Sequence, residues 1–344
     1  MAKKPPHTTG VLLINLGTPD SPKVSDVRRY LTQFLNDPRV IDIPWLPRFL
    51  LVNGIIVPFR APKSAKVYRE LWERSNGESP LLTHGYELLR KLQAGYPEDK
   101  LRFHFAMRYG NPSMPDVLAE MYKLRYDKII VVPLYPHYAS ATTGSTVEEL
   151  FRIMKKWYVI PEIEIIGQFY HHDAYIQSFV KNAQKFDLKS YDHFLFSYHG
   201  LPERQVDKVY DEGLCRDKDC ENRITDENKL CYKATCFDTT RRLVEALNLP
   251  EDKVTTAFQS RLDKKWIRPF SDDVVEELAK NGAKRILVFS PAFVADCLET
   301  IIEIEDEYLE IFEEHGGKEL HMVPSLNAED YWVDGLKDII GLDK

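Results

Sequence analysis

Short apolar, β-branched runs recur along the chain at residues 10–16, 101–107, 128–134, 162–167, 193–198, 253–258, 284–290 and 319–323. Longer stretches with helical patterning lie between them, so the order reads strand, helix, strand throughout, which predicts parallel sheets covered by helices. The rhythm also repeats at long range. HFAMRYGNPSMPDVLAEM followed by DKIIVVPLYPHYASATTGSTVEEL has its counterpart in AFQSRLDKKWIRPFSDDVVEELAK followed by KRILVFSPAFVADCLETIIEI. Each copy runs strand, Arg, proline-bearing loop, helix, basic residue, strand, Pro, loop, helix. The opening strands LLINLGTP and LFSYHGLP align without a gap, setting Gly17 opposite Gly200, Pro19 opposite Pro202 and Leu16 opposite His199. Two similar α/β lobes bind ligands in the crevice outside the carboxyl ends of their strands. The pattern predicts a first lobe over 1–170, a second over 171–326, a C-terminal helix or tail over 327–344, and one cleft onto which Leu16 and His199 both face.

Polar positions that interrupt this plan carry the candidate chemistry. A helix over 290–310, SPAFVADCLETIIEIEDEYLE, would put Asp296, Glu299, Glu303, Asp306, Glu307 and Glu310 on one narrow stripe, because steps of three and four return to nearly the same azimuth. Like charges so spaced repel by roughly a few tenths of a kcal/mol each. The row therefore asks for a hard cation or a train of protons to handle, the plain alternative being a solvated helix face. Asp296, Glu299 and Glu303 begin where the chain leaves the sheet and are the better candidates. His199 ends an apolar strand in FSYHGLPER, where a neutral imidazole can take a proton near pH 7. The two segments are expected to be halves of one site.

Residues 206–238 form a polar, charge-rich insertion with four of the five cysteines, Cys215, Cys220, Cys231 and Cys236, spaced C-x4-C-x10-C-x4-C. In a cytosolic chain such thiols stay reduced, so the spacing reads as a metal site, with zinc and [2Fe-2S] both open. Cys297 stands apart and is expected to be a small core residue.

The 344 residues suggest about two domains. A formal charge of −7 and the lack of a Lys/Arg run exclude a nucleic-acid footprint, which needs a basic face. MAKKPPHTTG leads into VLLINLG without the apolar core and cleavage site of a signal peptide, pointing to a cytoplasmic protein. PWLPRFLLVNGIIVPFR, residues 44–60, is too short an apolar run to span a bilayer. With Trp45 and its interruptions at Arg48, Asn53 and Arg60, it reads as an interfacial lip, peripheral on the inner face of the cytoplasmic membrane, or as a buried loop and helix.

FSYHGLPER, SPAFVADCLET, VLLINLGTPDSP, MRYGNP and YPHYASATTGS together resemble ferrochelatase, the family that inserts ferrous iron into a porphyrin in the last step of haem synthesis, and the resemblance runs from Val11 to about Leu326. It implies two Rossmann-like lobes around a porphyrin cleft. Position by position, it implies that His199 accepts pyrrole protons with Glu299 beside it, both at the Fe²⁺ substrate, and that Asp296 and Glu303 continue the acidic path. Leu16 would contact the opposite porphyrin face, and Arg108 and Tyr109 would lie in the cleft near metal access. Arg60, Ser79 and Ser260 would hold propionates, Tyr68 and Tyr135 would line the cleft, and Trp266 would border it. Protoporphyrin IX is the implied macrocycle. Coproporphyrin, or cobalt or nickel insertion into another tetrapyrrole, is the nearest alternative, and a haem or metal binder with a redox-sensing cysteine loop is the non-enzymatic one. Relatives that ligate a cluster through a C-terminal cysteine tail do not match, since Ser140 stands at their distant cysteine position and the chain ends in GLDK. All four ligands would come from the insertion, as in a smaller bacterial class carrying [2Fe-2S], which favours the cluster over zinc. Cys297 stands where some relatives have His, so a role of that His in iron transfer is not implied.

Overall fold

In a computed structural model, which describes residues 8–342, all eight apolar runs are strands. They are β1 (Thr9–Thr18), β2 (Leu101–Gly110), β3 (Lys128–Pro133), β4 (Glu162–Ile165), β5 (His193–His199), β6 (Val254–Gln259), β7 (Arg285–Phe289) and β8 (Glu319–Met322). They make two parallel sheets of four strands, ordered β2-β1-β3-β4 and β6-β5-β7-β8, so the second half repeats the strand order of the first. The first seven residues, read above for a targeting segment, lie outside the described residues.

The register makes the repeat quantitative. Leu12 pairs with Val131 as Leu195 pairs with Val288, and Asn15 pairs with Met107 as Tyr198 pairs with Phe258. Leu16 therefore runs beside Arg108 where His199 runs beside Gln259. Beyond β2 and β6 the copies still agree: the Met107 N–H donates to the Pro112 carbonyl at 2.7 Å and the Phe258 N–H to the Pro269 carbonyl at 2.8 Å.

Helices cover both sheets: α1 (Val24–Leu35), α2 (Trp45–Leu51), α3 (Val57–Arg74), α4 (Pro80–Ala94), α5 (Met114–Leu124), α6 (Ser145–Met154), α7 (Asp173–Ala183), α8 (Glu203–Asp207), α9 (Tyr232–Leu247), α10 (Ser271–Lys280), α11 (Leu309–Glu314) and α12 (Asp330–Ile340). Leu12, Ile14 and Val131 are buried on one face of the first sheet, Leu195, Ile286 and Val288 on one face of the second. The largest core is continuous between the sheets, through Phe105, Phe196, Phe289 and Trp332. Burial of large side chains at about 1.5–3 kcal/mol each thus holds the halves against one another.

Individual elements also reach across. α3 packs against residues 299–308 through Leu71, Trp72 and Ile302, with Arg74 paired to Asp306 at 2.6 Å. α12 lies on α4 and α7, and Lys91 Nζ donates to the Ala328 carbonyl at 2.6 Å and to Asp330 at 2.7 Å. Asp42 accepts from Arg204 and, at 2.8 Å, from Lys208.

The lip splits between the two readings it allowed. Trp45, Leu46, Phe49, Leu50, Ile55 and Phe59 are exposed, Phe59 to 73%. Arg48 instead turns inward and donates to the Ile43 carbonyl at 2.8 Å. Among the described residues no helix is long and apolar enough to cross a membrane.

Candidate active site

His199 ends β5 at the carboxyl edge of its sheet, half-buried, with its ring 6.3 Å from that of Trp266 and 6.4 Å from that of Phe293. Its Nδ1 lies 2.6 Å from the Gly200 carbonyl oxygen. A carbonyl can only accept, so Nδ1 carries a proton, and it is Nε2 that holds the lone pair whenever the ring is in its neutral form. Among the described residues Nε2 has no hydrogen-bond partner and is open to a ligand.

The acidic segment departs from the expected stripe. Asp296 precedes the helix, in the loop after β7, and its carboxylate accepts from the Ser325 N–H at 3.1 Å and Asn327 Nδ2 at 2.7 Å. Residues Glu299–Tyr308 are π-helical, and the wider turn breaks the three-and-four spacing on which a single stripe depends. Glu303 is clamped by Gln259 Nε2 at 3.0 Å, the Ser260 N–H at 2.8 Å, Ser260 Oγ at 2.6 Å and Tyr308 Oη at 3.1 Å. Asp306 turns away to Arg74. Burial, and after it the Asp296 charge, pushes the Glu305 carboxyl up; burial and then the Glu303 charge do the same to Glu307. Three of the acids read as one row, Asp296, Glu303 and Asp306, thus serve three separate partners: Asn327, Gln259 with Ser260, and Arg74.

Glu299 is the exception, because it looks into the first half. Burial, then neighbouring groups that include the Glu299 charge, push the phenols of Tyr30 and Tyr68 up; burial and then Glu299 do the same to the Cys297 thiol. Tyr30 and Tyr68 meet edge-on at 6.3 Å, and Leu16 packs into the same cluster. Arg60 is exposed, near enough for its charge to act on Tyr68. Of the two expected serine partners of a propionate, buried Ser79 donates to Thr18 Oγ1 at 3.1 Å and Ser260 Oγ donates to Glu303 at 2.6 Å.

Arg108 and Tyr109 come together over a residue the sequence did not flag. Asp37 Oδ2 accepts from Arg108 Nη2 at 2.6 Å, Tyr109 Oη at 2.8 Å and Ser145 Oγ at 2.6 Å, with Asp37 only 5% exposed at its side chain. Tyr135 is buried nearby, its hydroxyl 3.5 Å from Thr146 Oγ1. Asp37, Tyr30, Phe293 and Gln259 were missed because their partners are distant in sequence. Gln259 alone had a local signal, since the repeat sets it beside His199.

The insertion gathers three thiols. Cys215, Cys220 and Cys231 lie 3.6–3.9 Å apart, sulfur to sulfur, and all are buried. Metal–sulfur bonds of about 2.3 Å at tetrahedral angles place sulfurs about 3.8 Å apart, so the trio matches the face of one tetrahedral centre. The Cys215 thiol donates toward Cys220, which pushes the Cys220 thiol far down and the Cys215 thiol up. The expected fourth ligand, Cys236, stands outside this trio, buried on α9 with its sulfur against Tyr232 and near Tyr175 and Tyr198. A [2Fe-2S] group takes two thiolates on each iron, so the three thiols as placed do not fit it without Cys236.

Comparison with known proteins bears on the whole chain. The family model described as ferrochelatase matches residues 8–342. A ferrochelatase of Legionella pneumophila (strain Lens) is 42% identical over 332 residues, 96% of this chain and 98% of that protein. One from Pseudomonas putida is 40% identical over 336 residues, 96% and 97% of the two chains, and one from Coxiella burnetii is 41% identical over 342 residues, 98% and 94%. Among solved structures, SirB from Bacillus subtilis with Fe³⁺ shares the fold at a TM-score of 0.52 and 12% identity, covering 98% of this chain and 97% of its own.

Proposed function

The chain belongs to the ferrochelatase family, metal chelatases that insert a metal ion into a porphyrin, and from that premise we propose that it inserts ferrous iron into protoporphyrin IX between His199 and the Tyr30–Tyr68 wall. The observation that carries this reading is the His199 tautomer, whose Nδ1–H is fixed on the Gly200 carbonyl at 2.6 Å while Nε2 stays free. Insertion must remove two pyrrole protons while iron sheds water and keeps hard ligands. A neutral imidazole suits the first task near pH 7, and a carboxylate suits the second. His199 Nε2 takes a proton, and Glu299 accepts the other or holds the incoming Fe²⁺. Glu303, held by four donors, fixes the helix in place, and Asp296 supports the β8 loop. Arg60 is a cation beside this wall, placed to meet a macrocycle carboxylate.

The lobes are assigned to 1–170 and 171–326 and the C-terminal segment to 327–344, with α12 crossing back over α4 of the first. The exposed side chains of α2 and of the start of α3 are assigned to reversible contact with the cytoplasmic membrane surface, which suits delivery of an apolar substrate. The three-thiol group is assigned to a metal. Zinc fits the thiols where they stand; a [2Fe-2S] cluster, the assignment carried over from the internal-cysteine class, needs Cys236 to leave its tyrosine pocket and join.

Anaerobic assays with Fe²⁺ on protoporphyrin IX and on coproporphyrin III, with product analysis, test the reaction. Faster turnover of protoporphyrin is expected. Faster turnover of coproporphyrin would correct the macrocycle, and no insertion into either would leave a binding protein.

A further inference from the structure

We infer that Gln259 is a positioning residue that holds His199 and Glu299 in one working geometry. The inference rests on the assignment of those two residues to proton and iron handling. Gln259 is 1% exposed, and a buried amide needs acceptors for its N–H groups and donors for its oxygen. Oε1 accepts from Ser197 Oγ at 2.8 Å and from Ser290 Oγ at 3.4 Å. Nε2 donates to the Glu299 carbonyl at 3.2 Å and to Glu303 Oε2 at 3.0 Å. The main chain pairs with His199, and the Gln259 carbonyl accepts the Gly200 N–H at 2.8 Å. One residue thus grips the base through its backbone and the start of the acidic helix through its side chain.

The geometry admits little else at this position. Hydroxyl donors lie on one side and a carbonyl with a carboxylate on the other, which sets the amide one way round. A glutamate of the same shape keeps the hydroxyls but turns an anion toward Glu303. Ser260, next in the chain, adopts φ +60°, a left-handed conformation rare outside glycine and asparagine, and from there both its N–H and its hydroxyl reach Glu303. The other half has the same joint: Arg108, beside Leu16, donates from Nε to the Ser145 carbonyl at 3.2 Å and to Ser145 Oγ at 2.8 Å, at the start of α6. Both halves place a donor between strand end and following helix, and only in the second does that donor sit between two proton-handling groups.

Two variants test this. Gln259→Glu removes the donors; Ser197→Ala removes the hydroxyl that orients the amide and touches neither His199 nor Glu299. We expect kcat to fall about 100-fold in the first, as a misplacement on the order of 1 Å would cause, and about fivefold in the second, the worth of one hydrogen bond. The porphyrin KM, the porphyrin affinity by fluorescence quenching and Tm should stay close to wild type in Ser197→Ala. A kcat loss that tracks Tm and porphyrin affinity would show a merely structural role and overturn the inference, as would unchanged kcat. If Gln259→Glu does not fold, Ser197→Ala alone decides by the same criteria. Wild-type protein that inserts no metal would sink the underlying reading; active wild type with unaltered variants would sink only this one.

Discussion

The ends of β1 and β5 occupy the same place in two copies of one sheet, yet one closes an apolar wall and the other presents a base. Leu16 stands where His199 stands, and Arg108 runs where Gln259 runs. Counted on from Val131 and Val288, Thr142 falls at the position of Glu299 and Thr146 at that of Glu303. Even the glycines differ in duty. Gly17 has φ +134° and sits so close to Tyr109 that a Cβ would lie 1.9 Å from its carbonyl oxygen; Gly200 leaves room for Gln259 and Trp266, which a Cβ would meet at 2.8 and 3.1 Å. Charge follows the same division. In the first half the buried carboxylate, Asp37, is neutralised by Arg108, while in the second Glu299 acts on the tyrosines of the opposite wall. Duplication supplied the geometry twice, and a few side chains confined the reactive groups to one copy.

The hardest test of that division replaces the matched pair. His199→Ala should lower kcat by about 10²–10⁴, the usual worth of a general base, with porphyrin still bound. Leu16→Ala should cost only a few-fold. Equal losses in steady-state assays would show that the copies share the chemistry. Glu299→Gln should follow His199→Ala, and Glu303→Gln should cost less.

Stability should divide the other way. Asp37→Ala strands the Arg108 guanidinium in a largely buried site, which costs about 3–5 kcal/mol when a buried pair is broken, whereas Glu299→Ala should be near neutral. Denaturant titration decides, and a harmless Asp37→Ala would remove the contrast.

Acid should weaken the core through two histidines, His104 within the first half and His137 where the first half meets Thr239, Tyr198 and Tyr232 of the second. Burial holds the His104 imidazole down to about 4 and His137 down to about 3. Because the folded values lie below the unfolded value near 6.5, each contributes stability above that pH, which is lost as pH falls toward the folded values. At pH 5 each should have lost about 2 kcal/mol. His137→Val, matching Val294 at the same count in the other half, should flatten the dependence of Tm between pH 7 and 5; an unchanged slope would place the titration elsewhere.

Two features lack a counterpart in the repeat, and their effects should be smaller. Cys215→Ser should lose bound metal while Cys236→Ser keeps it, by metal and sulfide analysis of the purified protein. Equal loss in both would restore the four-ligand set. Phe49→Ser combined with Leu50→Ser should reduce co-sedimentation with liposomes, and unchanged binding would return these residues to an ordinary surface.

All eight strands, the repeat and the place of His199 were legible because each rests on short-range pattern: runs of β-branched residues, a strand end before Gly-x-Pro, a motif recurring in order. The acidic row was legible as composition but not as geometry. A sequence carries the spacing of its carboxylates, but the turn that spaces them in space is settled by packing, here a π-helix lying against Leu71 and Trp72 of α3. The same limit hid Asp37, whose partners Arg108 and Ser145 lie 71 and 108 residues away. It also hid the separation of Cys236 from the other three thiols, because α9 turns its buried face toward the tyrosines between the sheets. Which groups exist, and on which kind of element, was determined by sequence alone; which of them meet was decided by the tertiary structure, since hydrogen bonds and charges act over a few ångströms of space whatever the distance along the chain.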